Sequence, residues 1–119
     1  MQYQRDYILR VIEQMGAVMR EAFAAYRGGA ASEEPLALTD AAIGLVIDLD
    51  PQLFLRLAPQ SMVSLVEMSG TDDRLVSKLV EVLMLEADIL DSEGNLVEAN
   101  VRREQAGALR DSLDPMRAN

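Results

Sequence analysis

Apolar residues recur every three or four positions along most of this chain, which is the spacing that places them on one face of an α-helix. The first such stretch covers residues 3–26 and predicts one long amphipathic helix, with Tyr7, Val11, Met15, Val18, Ala22 and Tyr26 among its apolar positions. Gly28 and Gly29 predict its end, because glycine is common where a chain leaves a helix. We therefore expect a helical unit over residues 1–29, followed by a polar connector over residues 30–38.

Start and stop signals divide the remainder into a helical array over residues 39–113. Thr39 is predicted as the N-cap of a helix that runs to Leu49, with Asp40 in its first turn, where the helix dipole favours a negative charge. Further starts are predicted at Asp50-Pro51, at Pro59 and at Thr71-Asp72-Asp73. Further ends are predicted at Gly70 and at about residue 91, with a turn over residues 92–95. A last helix follows from residue 96, and the tail over residues 114–119 is expected to fray.

The composition supports the same fold class. Apolar residues make up 50% of the chain and aromatic residues only 4%, which favours packed helices over a sheet rich in aromatic side chains. The run over residues 43–49 also fits a buried strand, but the chain offers no second strand to pair with it, and a lone strand cannot form a sheet. The sequence therefore predicts one all-α domain of about five helices.

Charge and residue types restrict the classes of function. The net charge is −9, and residues 72–98 hold 8 acidic residues against 2 basic ones. Such a segment repels phosphate backbones, so nucleic-acid binding is not expected. No apolar run approaches the ~18 residues that a membrane-spanning helix needs. The chain has no histidine and no cysteine, which excludes thiolate chemistry, disulfides and most zinc sites. A cytoplasmic protein without a signal peptide is expected.

One pair of acidic residues suggests a catalytic alternative. Asp48 and Asp50 are spaced like the aspartates of a haloacid-dehalogenase-type phosphatase, in which the first is a nucleophile, the second is a general acid and both lie near magnesium. Pro51 and Gln52 do not continue that motif, and the fold needs several parallel strands. A small magnesium-dependent phosphatase that uses Asp48 and Asp50 is therefore kept only as the alternative hypothesis, and no catalytic, cofactor-binding or metal-binding residue is assigned.

Other polar and methionine positions have structural interpretations. The carboxylates of residues 67, 81, 86 and 88 are predicted to form a solvated acidic face. Arg103 is predicted to lie in the apolar seam of the last helix, where it would pair with an acidic residue of the middle region or extend to solvent. Met15, Met19, Met62, Met68 and Met84 occupy apolar helical positions, and core filling is the favoured interpretation.

Two resemblances add to this prediction. In residues 82–109 an apolar helix leads into Gly94-Asn95, then Glu98-Ala99 and Ala106, and this helix pair resembles a tetratricopeptide-type unit. It implies two antiparallel helices within a short tetratricopeptide-like array. The stretch 4-QRDYILRVIEQMG-16 resembles the opening of a family of small bacterial helical proteins of unknown activity, which implies a bacterial protein.

The functional prediction is a non-catalytic interaction or scaffold module without a cofactor. Its partner would be another protein or a second copy of the chain, bound through the long first helix. A helical pocket for a small apolar ligand, lined by methionine and leucine side chains, is a further possibility.

Overall fold

The chain folds into helices throughout the part that the structure describes. The computed structural model describes residues 2–113, which form six α-helices and no β-strand. The helices are α1 (Gln2–Arg27), α2 (Glu33–Gly44), α3 (Pro51–Leu55), α4 (Pro59–Met68), α5 (Asp73–Ser92) and α6 (Leu96–Ser112). The predicted all-α class is confirmed, with six helices where about five were expected. The prediction for the tail over residues 114–119 lies outside the described residues.

The long first helix is present as predicted. α1 contains 26 residues, and its length at ~1.5 Å per residue approaches the longest dimension of the molecule, 42 Å. It buries Val11, Met15 and Ala22 and packs mainly against α2 and α5. It ends at Arg27, and Gly29 takes a φ of +82°, as expected of a glycine after a helix. Among residues 2–113, no helix combines the length and the apolar character needed to cross a membrane.

The second helix begins and ends earlier than predicted. Residues 33–38 are helical, so the connector predicted over 30–38 is shorter, and the helix ends at Gly44 instead of Leu49. The physical reason is the local sequence around residue 33. Glu33 and Glu34 place two negative charges in the first turn, where the helix dipole favours them, and Pro35 fits there because the first amide groups have no helical partner.

Thr39 is therefore an interior residue of α2, and its prediction as an N-cap is wrong. Its side chain is fully buried, and its hydroxyl lies 2.9 Å from the carbonyl oxygen of Leu36. Asp40 follows it into the middle of the helix instead of the first turn. Residues 45–50 then form the loop to α3, so Asp48 is a loop residue and not the end of a helix.

The later helix starts agree with the sequence signals. Asp50 caps α3, since its carboxylate Oδ1 accepts a hydrogen bond from the backbone N–H of Gln52 at 2.8 Å, and Pro51 is the first helical residue. Asp72 caps α5 in the same way through the N–H of Arg74, also at 2.8 Å. The predicted boundary at Asp50-Pro51 is confirmed.

The last two helices form an antiparallel hairpin that completes the core. Gly94 turns the chain between them with a φ of +83°, a conformation that residues with a side chain rarely adopt. α5 and α6 share the most extensive contact of any helix pair. The largest fully buried apolar side chains of the molecule are Phe54, Met15, Ile43, Met62, Leu79, Leu83, Ile89 and Leu109.

Two methionines provide a matched test of this packing. Met15 has 0% exposure, whereas Met68 is 86% exposed, which contradicts the prediction that Met68 fills the core. We expect Met15→Ala to lower the free energy of unfolding by about 2–5 kcal/mol, because it leaves a cavity. Met68→Ala should change it by less than about 0.5 kcal/mol. Urea unfolding followed by circular dichroism measures both, and equal losses would contradict the assignment.

Candidate functional site

A charged pair lies in the interior between α5 and α6. Arg102 Nε donates a hydrogen bond to Glu86 Oε1 at 2.8 Å, and the two residues are only 7% and 3% exposed. Two buried charges are costly unless their remaining hydrogen-bonding groups also find partners. The surroundings supply these partners from α6 itself and from two further segments, α2 and the corner between α3 and α4.

Gln105 and Arg102 together hold the corner between α3 and α4. Arg102 Nη1 donates to the carbonyl oxygen of Leu55 at 3.2 Å and to Gln105 Oε1 at 3.3 Å. Gln105 Nε2 donates to the carbonyl oxygens of Leu55 and Leu57, at 2.8 and 2.9 Å. These carbonyl groups belong to the last residue of α3 and to the loop that follows it, where no helical N–H is left to bind them. The two side chains of α6 therefore act as the cap of α3.

Two residues of α2 complete the cluster. Thr39 Oγ1 lies 2.7 Å from Glu86 Oε2, and Asp40 Oδ2 accepts a hydrogen bond from Gln52 Nε2 at 2.6 Å. Asp40 Oδ1 is buried without a hydrogen-bond partner among the described residues. Burial, followed by the negative charge of Glu86, raises the pKa of Asp40 from 3.8 to about 7. We call Thr39, Asp40, Glu86, Arg102 and Gln105 the buried polar network.

The prediction that Arg103 lies in the apolar seam of α6 is wrong. Arg102 is the buried residue, whereas Arg103 lies at the surface. Both positions fit the spacing of three or four between Ala99 and Ala106, so the pattern alone could not choose between them. Arg103 does pair with acidic residues of α5, as one of the two predicted alternatives states. It contacts Asp91 and lies 3.6 Å from Asp88, and its hydrogen bond to Asp91 raises the pKa of Arg103.

Of the four carboxylates predicted to be solvated, Glu86 is buried, whereas Glu67 of α4 is exposed. Glu81 and Asp88 are exposed, but Glu86 points into the core. A sequence signal for this existed, because residue 86 continues the apolar series Leu79, Leu83 and Leu90 at spacings of three and four. An acidic residue within such a series needs a buried partner, and a basic residue on the neighbouring helix can supply it.

The aspartates of the phosphatase hypothesis do not form a pair. Asp50 is occupied as the cap of α3, while Asp48 is exposed and borders a cleft of about 410 Å³ with residues 69–72. In that cleft Asp72 binds Arg74 at 3.0 Å, which lowers the pKa of Asp72. The strands that the phosphatase fold requires are absent from residues 2–113. In the same part of the chain, no three acidic side chains are grouped so that they could hold a metal ion.

A second surface feature is a groove between α1, α5 and α6. It encloses about 600 Å³ and has an apolar floor that includes Met19, Phe23, Val80, Met84 and Leu85. Its rim carries both charge signs, from Arg20, Lys78, Glu81, Asp88 and Arg110. We call this feature the α1–α5 groove.

Phe23 of the groove belongs to a small cluster of aromatic and basic side chains. The ring of Phe23 is 49% exposed and meets the ring of Tyr26 edge to face, with 6.4 Å between their centroids. The guanidinium carbon of Arg27 lies 5.7 Å from the centroid of the Phe23 ring. A large aromatic side chain that half faces solvent, with a neighbouring arginine, is a typical composition for the centre of a protein interface.

The adjacent arginines of α6 test the importance of the buried polar network. We expect Arg102→Met to lower the free energy of unfolding by about 3–5 kcal/mol, because it leaves the carboxylate of Glu86 buried without its charged partner. Arg103→Met should leave the stability near that of the unmodified chain, because its ion pairs are at the surface. Denaturant unfolding of both variants provides the measurement, and a similar loss in the two would contradict the distinction.

Comparison with known proteins adds no relative to this description. No family model, no curated protein and no solved structure matches the chain. The resemblances to a tetratricopeptide unit and to a family of small bacterial proteins therefore remain predictions. The function has to be argued from the geometry of the surface and of the interior.

Proposed function

We propose that this chain is a non-catalytic helical interaction module that binds a second copy of itself through the α1–α5 groove. The observation that carries the proposal is the apolar floor of the groove, where the exposed Phe23 and the half-buried Met19 of α1 lie near the half-buried Met84 of α5. Methionine side chains are flexible and fit irregular partner surfaces. A contact at this groove would use the long first helix, as the sequence led us to expect.

The charges on the rim favour a second copy as the occupant. In a two-fold dimer the same patch meets itself, so a residue on one chain contacts a different residue of the same patch on the other. The rim has basic groups at Arg20 and Arg110 and acidic groups at Glu81 and Asp88. Such a patch can place its own arginines against its own carboxylates. A patch with a single charge sign would repel its copy.

The size of the molecule allows such a contact. A stable interface of ordinary size covers about 800 Å² on each partner. The chain has principal dimensions of 42, 31 and 25 Å, and the groove lies along its longest helix, so the surrounding face can supply that area. Phe23 and Arg27 would be anchors near the centre, since aromatic and arginine side chains provide most of the binding energy at many interfaces.

The remaining parts of the proposal concern context. The α5–α6 hairpin would be the tetratricopeptide-like element, with one side turned to the core and the other contributing to the groove. We infer a bacterial, cytoplasmic setting from the resemblance of the first helix to small bacterial helical proteins.

Sedimentation velocity at micromolar concentrations tests the proposal. We expect the unmodified chain to dimerise and Phe23→Asp to weaken the dimer by about 30-fold or more, because it places a charge at a desolvated centre. Val97→Asp is the matched control, since Val97 is 76% exposed and lies outside the groove.

Two results would contradict the proposal. One is a strictly monomeric unmodified chain at these concentrations. The other is an equal loss of association in Phe23→Asp and Val97→Asp while circular dichroism shows that both remain helical. A monomer that retains a small apolar molecule in native mass spectrometry would instead favour the ligand-pocket hypothesis.

A further inference from the structure

The buried polar network contains one hydrogen-bond acceptor too many for its donors. Asp40 Oδ1 is buried and has no partner among the described residues, although its second oxygen is bound by Gln52. An ionised carboxylate can only accept hydrogen bonds, whereas a protonated one can also donate. A proton on Asp40 would turn its unpartnered oxygen into a donor.

The hydroxyl group of Thr39 also has more hydrogen-bond acceptors around it than it has protons to donate. Its hydroxyl has one proton, yet two acceptors lie within hydrogen-bond distance, the carbonyl oxygen of Leu36 at 2.9 Å and Glu86 Oε2 at 2.7 Å. A single proton cannot form a full hydrogen bond with both acceptors at once, so the ionised network has fewer donors than acceptors. A proton on Asp40 adds a donor next to Glu86, whose side chain lies within hydrogen-bonding reach of Asp40.

The charge balance points in the same direction. The charged groups that act on Asp40 are Glu86 of α5 and Arg102 of α6, and Gln52 of α3 is a neutral donor to it. Glu98 of α6 also accepts a hydrogen bond from this arginine, from Arg102 Nη2 to Glu98 Oε2 at 3.5 Å. One guanidinium thus faces three carboxyl groups, two of which lie in the interior or at its edge.

We propose that Asp40 carries a proton in the folded protein, and that loss of this proton weakens the attachment of α2 to α5 and α6. Asp40 and Glu86 then hold two negative charges against a single buried arginine, and the hydrogen bond that the Asp40 proton donates to Glu86 is lost. This pH-sensitive contact is independent of the α1–α5 groove.

The sign of the pH dependence follows from the direction of the shift. The unfolded chain releases the Asp40 proton at the ordinary carboxyl pKa of 3.8, whereas the folded chain keeps it until about pH 7. Folding therefore takes up a proton between pH 3.8 and about pH 7. The contribution of Asp40 to the free energy of unfolding falls as the pH rises through this range. It is fully present below about pH 4 and is lost above about pH 7.

Asp40→Asn separates this contribution from all other titrating groups. The amide has nearly the same shape and donates hydrogen bonds at every pH, so it imitates the protonated acid. We expect the unfolding constant of the unmodified chain, relative to that of Asp40→Asn, to increase about tenfold or more between pH 5 and pH 8. Asp48→Asn is the control, because it removes an exposed carboxylate outside the network and should leave the pH dependence unchanged.

A direct titration needs no variant. The carboxyl carbon resonance of Asp40 in the unmodified chain, followed by NMR from pH 4 to pH 8, should show a midpoint clearly above that of exposed aspartates. A midpoint in the ordinary range of aspartates would overturn the proposal. So would an unfolding constant that changes with pH equally in the unmodified chain and in Asp40→Asn.

Discussion

The pairing of Glu86 with Arg102 constrains the arrangement of four helices at once. The guanidinium of Arg102 reaches the carboxylate on α5 and the last carbonyl of α3, while the other oxygen of that carboxylate meets Thr39 on α2. A buried charge has few alternative positions, since every other one would leave it without a partner. The pair therefore specifies how α2, α3, α5 and α6 meet more narrowly than apolar contacts could, because apolar contacts are not directional.

The two faces of α5 lie in different environments, one in the core and the other at the α1–α5 groove. Leu79, Leu83 and Glu86 lie on the inner face, where apolar packing and the buried ion pair occur together. Met84 and Asp88 lie on the outer face, at the α1–α5 groove. A change on the outer face can therefore alter association while the core stays intact, and a change on the inner face affects the fold first. This separation is what makes the surface and the interior open to independent tests.

Local signals in the sequence predicted the helix starts at Asp50 and Asp72, because a cap needs only the two or three residues that follow it. The start of α2 was missed because Thr39 is a good cap by residue type, whereas the start signals at Glu33, Glu34 and Pro35 were assigned to the connector. The choice of Arg102 over Arg103 depends on what lies across the helix interface. Spacing along one helix identifies a face, but the partner on the next helix decides which of two adjacent residues is buried.

The tight turn at Gly94 has a consequence for the order in which the chain folds. It places Glu86 and Arg102 only 16 positions apart, whereas Thr39 and Glu86 are separated by 47. Closing a short loop costs less chain entropy than closing a long one, and contacts near in sequence form fastest. We therefore expect the α5–α6 hairpin to form first. The carboxylate of Glu86 then remains exposed to water until α2 packs against it. Because water can hydrate this carboxylate until α2 packs, we expect the removal of water from Glu86 to occur late in folding.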